Sequence, residues 1–138
     1  MNFLKWIVAL FRGGAPGFAI LEIGILAEIE RQLDAETAAK LRRRIASINL
    51  VQRLDGGREV NAFCIRRGRP HRDESMRLSN ENGDKKLAVF SFSGAYNTRF
   101  KGSAWIANGQ FFSLQFNNVT ARSLDDPPID LKLTLYTL

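Results

Sequence analysis

Asn108-Gly109, set between the runs SAWIA and QFFSLQF, limits the folds open to this chain more than any other feature. Both residues tolerate positive φ, which a two-residue type I′ turn requires, so the flanking runs read as paired strands. A turn of two residues fixes the register. Ala107 is expected opposite Gln110, Ile106 opposite Phe111, Trp105 opposite Phe112 and Ala104 opposite Ser113. Strand alternation then puts Trp105, Phe112, Leu114 and Phe116 on one face, with Ile106 and Phe111 on the other. The first of these faces is too apolar to stay wet, and the segments upstream must supply its cover.

Those segments are helical in pattern. In residues 2–12, Phe3, Leu4, Ile7, Val8 and Phe11 recur three and four apart, so they line one face of a short amphipathic helix. Gly13, Gly14 and Pro16 end it, which sets residues 1–14 apart from a single domain over 15–138. The stretch is shorter than the roughly 20 apolar residues a bilayer span needs. Three uses are open to it: packing on its own domain, contact with a partner protein or a second copy of the chain, and a membrane interface; the expected function takes it as the partner contact. A second helix is predicted over Phe18 to Leu33, where Ile20, Ile23 and Leu26 widen the apolar stripe enough to predict a largely buried helix. Asp34 is suited to cap a third, whose narrower face is Ala38, Leu41, Ile45 and Ile48.

From Asn49 the period changes to two. NLVQRL and REVNAFCIR flank Asp55-Gly56-Gly57 as a hairpin, LAVFSFS (residues 87–93) is a further strand, and Ile129 to Leu138 alternates strictly. Residues 66–86 are polar and broken by Gly68, Pro70 and Gly83, so they read as a long connection with at most a short pairing segment at Met76 to Leu78. Helices first and strands afterwards predict an α+β fold: N-terminal helices packed on one face of an antiparallel sheet of about five or six strands.

Charge is unevenly spread. Residues 1–72 hold 13 Lys and Arg against 7 Asp and Glu, whereas residues 73–138 hold 7 of each, so the net +6 lies in the first half. Arg66, Arg67, Arg69 and Arg72 form its densest cluster and are the candidate anion-binding residues, since guanidinium groups take phosphates and carboxylates bidentately. Nucleic acid as the partner asks for exposed aromatics among the cations. Tyr96, Phe100 and Trp105 lie among Arg99 and Lys101, but most Phe residues are wanted by the core.

Catalytic equipment is sparse. The lone histidine, His71, precedes Arg72 and Asp73 as in a kinase catalytic loop, yet Leu78 stands where that loop needs asparagine. His71, Asp73 and Glu74 are metal-ligand types, but the arginines beside them repel a cation. Cys64 is the single cysteine and falls in a strand pattern, so a buried, unreactive thiol in a reducing, cytoplasmic setting is expected. No cofactor, metal or catalytic set is predicted. The expected function is a non-catalytic binding domain for a protein partner or its own copy. Its alternatives are a ligand-binding or weakly catalytic domain with a pocket between sheet and helix, lined by Arg58, Arg99 or Tyr96, and membrane or nucleic-acid contact through the basic half.

Overall fold

The computed structural model describes residues 14–138, so the predicted helix over 2–12, with Phe3, Leu4, Ile7, Val8 and Phe11, lies outside the described residues. Two helices come first, α1 (Ile20–Gln32) and α2 (Ala35–Ser47). Leu33 and Asp34 between them are extended, with ψ of 156° and 161°, so the helices are separate rather than one bent rod. Asp34 caps α2: its carboxylate accepts from the Thr37 N–H at 2.8 Å and the Thr37 hydroxyl at 2.8 Å. This satisfies a backbone donor that the first helical turn leaves unpaired.

Eight strands follow: β1 (Leu50–Leu54), β2 (Glu59–Phe63), β3 (Ile65–Arg66), β4 (Arg69–Pro70), β5 (Asp84–Ser93), β6 (Arg99–Ala107), β7 (Gln110–Phe116) and β8 (Ile129–Leu135). Six of them make one antiparallel sheet in the order β1-β2-β7-β6-β5-β8, and β3-β4 is a separate hairpin. The α+β architecture is therefore present, with the sheet at six strands. The strand at LAVFSFS begins earlier than its apolar run, because Asp84, Lys85 and Lys86 already pair with β6. At 74–76 a single turn of 3-10 helix stands in place of the short pairing segment; only the Leu78 N–H reaches β7's turn, bonding Gly109 O at 2.7 Å.

Both helices cover the same face of the sheet. Leu21, Ile25, Ile29 and Leu41 meet Val51, Val60, Phe92, Phe100, Phe111 and Leu114 in one core. Phe92 and Phe100 stack at 4.9 Å and Phe116 stands edge-on to Phe92 at 6.1 Å. Each such ring, withdrawn from water, stabilises the fold by about 1.5–3 kcal/mol. Glu22 of α1 is fully buried and is bonded by Arg53 of β1, whose Nε lies 2.8 Å from Oε2. Helix α1 is less buried than its wide stripe implies: Ile20 and Ile23 are each 52% exposed. A helix lying on one sheet face buries only the side turned to it, here Leu21, Ile25 and Ile29.

The central hairpin departs from its predicted register in one respect. Asn108 and Gly109 do adopt positive φ (48° and 85°), and Ala107 faces Gln110 and Ile106 faces Phe111. Beyond these, Trp105 faces Ser113, not Phe112, and Ala104 faces Leu114, because a β-bulge inserts Phe112. A bulge puts two residues opposite one and reverses the alternation downstream. Ile106, Phe111, Leu114 and Phe116 thus share the helix-covered face, while Trp105 and Phe112 point to the opposite one. The sequence alternation had joined Trp105 and Phe112 to the core set, and that assignment is wrong.

Candidate functional site

Strands β3 and β4 are only two residues each, joined by Arg67 (φ 51°) and Gly68 (φ 77°). Two successive left-handed residues make a type I′ turn, whose twist suits so short a ribbon. Arginine in that conformation is less comfortable than glycine or asparagine, and the ribbon carries little apolar area of its own. It is held at its root. The Asn49 side chain accepts from Ile65 N–H at 2.8 Å and donates to Ile65 O at 2.9 Å, and His71 N–H bonds Cys64 O at 2.7 Å.

This ribbon gathers the predicted anion-binding residues. Arg66 and Arg69 are paired directly across it, Arg67 occupies the turn and Arg72 lies two residues past β4. All four are exposed, and among the described residues none uses its guanidinium in a hydrogen bond or ion pair. The neighbouring acids are committed elsewhere. Asp73 accepts from the Ser75 hydroxyl at 2.7 Å and the Ser75 N–H at 2.9 Å, and these bonds, with Arg43 and His71 nearby, hold its carboxyl below the usual carboxylate range. Glu74 pairs with Arg77 at 3.2 Å. Among the described residues none of the four guanidinium groups is in hydrogen-bond contact with a carboxylate, although the ionised Asp73 follows Arg72 directly.

A fifth guanidinium lies beneath. Arg44 of α2 is buried; its Nε donates to Phe111 O at 2.9 Å and its Nη2 to Ala62 O at 3.3 Å. The run Lys40 and Arg42 to Arg44 looks like a uniform solvated helix end in the sequence, and burial of its last member has no local signal. Arg44 lines a hollow of about 10 Å³ with Cys64, Arg66, His71 and Gln110 at the ribbon's root. Burial pushes its pKa down, the Cys64 thiol acts the other way, and Arg72 adds to the decrease. A guanidinium still keeps its proton at neutral pH, so Arg44 adds positive potential under the ribbon.

The remaining candidates are dispersed. Phe100 is buried in the core, and Tyr96 is 83% exposed in the turn before β6, with Arg122 at 5.9 Å from its ring. Arg58 sits beside Asp55 at 3.8 Å in the first hairpin. Tyr96 lines a surface hollow of about 310 Å³ and Arg99 a different one of about 420 Å³ beside Asp130 and Lys132. Among the described residues no three His, Cys, Asp or Glu side chains converge as metal ligands, and His71, Asp73 and Glu74 do not form such a group. Among the same residues no helix is long and apolar enough to cross a membrane. No family model, curated protein or solved structure matches this chain.

Proposed function

We propose that this chain is a non-catalytic binding domain whose β3-β4 ribbon engages an anionic partner. One observation carries the reading: Arg66, Arg67 and Arg69 lie on a ribbon of two-residue strands, with Arg66 facing Arg69 and Arg72 two residues beyond, all exposed and, among the described residues, none paired with a carboxylate. Like charges directly opposite destabilise a strand pair, so the arrangement costs stability unless a partner supplies negative charge. The buried Arg44 raises the potential at the ribbon's root without competing for the partner. Guanidinium forks on a short, rooted projection suit phosphate, sulfate or carboxylate groups presented along a polymer or a protein surface.

A low-molecular-weight heparin fragment is a suitable anionic probe for titration of the full chain between about 50 and 200 mM salt. Saturable binding that weakens steeply with salt is expected. Replacing Arg66, Arg67, Arg69 and Arg72 together by alanine should flatten the log K against log salt slope by about three to four. Equal affinity and slope in the quadruple variant, with its melting transition intact, would overturn the reading.

A further inference from the structure

The sheet face away from the helices has a chemistry of its own. Both helices and the core lie on the other side, and the described elements leave this one open. Trp105 of β6 and Phe112 of β7 stand on it, each partly exposed, and its centre is a depression of about 240 Å³ bordered by both rings. Phe112 is backed edge-on by Phe63 at 5.4 Å, and Phe63 ends β2 two residues before the arginine ribbon starts. On the other flank Lys86 holds its ammonium 5.3 Å from the Trp105 ring and 5.9 Å from that of Tyr136. The Trp105 indole N–H donates to Ser103 Oγ at 2.9 Å, which fixes the ring's orientation.

The polar border of the depression is uncommitted. Glu59, Asn61, Asp84 and Gln115 line it, and among the described residues none of their side chains makes a hydrogen bond or ion pair. Carboxamides offer a donor and an acceptor together, and carboxylates accept from exocyclic amines, as they do from cytosine N4. Aromatic walls, amide and carboxylate edges, and cations outside the rings form a set that takes a flat heterocycle joined to an anionic strand.

Resting on the anionic-partner reading above, we infer that the partner is a single-stranded nucleic acid, with the ribbon gripping phosphates and the Trp105–Phe112 depression taking a base. The two carboxylates at the border select bases that carry an exocyclic amine, cytosine above all, over thymine or uracil. Strands lie about 4.8 Å apart, so from Phe63 on β2 to Tyr136 beyond β8 the row spans roughly 19 Å, space for about three bases. Lys101 and Lys132, both paired with Ser91, continue positive charge along the same face.

Labelled cytidine oligomers of about twelve nucleotides, in ribo and deoxy forms, with a thymidine oligomer and the heparin fragment as controls, separate the two readings. Trp105→Ala should weaken oligocytidine binding about tenfold, leaving the salt slope and heparin affinity unchanged. Asp84→Ala, at an exposed border position, should narrow the preference for cytidine over thymidine. The inference fails if heparin binds through the arginines but Trp105→Ala and Asp84→Ala leave oligocytidine affinity and base preference untouched. It also fails, together with the reading beneath it, if neither polyanion distinguishes the quadruple arginine variant from the parent chain.

Discussion

Glu22 shows how one side chain ties two layers together. Its carboxylate has no solvent exposure, accepts from the Ala19 N–H at 2.8 Å at the start of α1, and is bonded by Arg53 from β1. Removing one member of a buried pair strands the other charge, at a cost of about 3–5 kcal/mol. Arg53→Ala should therefore lower the urea midpoint sharply, and adding Glu22→Gln should recover a large part of the loss. Glu28, nearly two turns along the same helix, has a different signature. Its hydrogen bonds from Arg31, at 2.7 Å, and then from Gln32 hold its carboxyl down to about 2 from an ordinary 4.5. A depressed carboxyl contributes stability that is complete above its unfolded value and is lost as pH falls through the folded one. Denaturation midpoints should accordingly be flat near neutral pH and fall between about 4.5 and about 2. Glu28→Gln should lessen that decline; an unchanged acid limb would show that the exposed pair contributes nothing.

At the scale of elements, the β3-β4 ribbon opposes stability to binding. Arg69→Glu places an opposite charge across from Arg66, which should firm the ribbon by about 0.2–1 kcal/mol while weakening heparin retention. Moving both quantities in the same direction would contradict a ribbon kept basic for a partner. This element was not legible in the sequence. Strands of two residues carry no measurable alternation, and Arg67-Gly68 lacks the Asn-Gly form that announced the central hairpin at Asn108-Gly109. Long elements were legible for the complementary reason. The Leu41-Ile45-Ile48 spacing and the alternation from Ile129 each repeat a period often enough to outweigh local exceptions, and Asp34 marks the helix start by its capping carboxylate.

Across the whole molecule, one six-stranded sheet separates two environments, a sealed one roofed by α1 and α2 and an open one with its own rings. Periodicity could find the roofed side, since its residues recur in every strand. Assigning individual rings to a side depends on counting, and irregular pairing between Trp105 and Ile106 and between Lys86 and Ala88 upsets the count. Arg44 and Glu22 escaped notice for a related reason: each is an ordinary helix-surface residue until a distant strand arrives to bury it. Four arginines in seven residues needed no such context, and the structure puts three of them on the ribbon and Arg72 two residues past it.

Phe112 is the supernumerary member of its strand, and this makes it separable. Ile106 already faces Phe111 and Trp105 already faces Ser113, so excising Phe112 leaves every other cross-strand partnership as it stands. The shortened chain should keep its core at a cost of about 0.5–1.5 kcal/mol for the lost Phe63 contact. Excising Leu114 instead would turn the following residues inside out. A natural or engineered chain could thus shed or regain half of its aromatic clamp by a single codon, with the scaffold indifferent to the change.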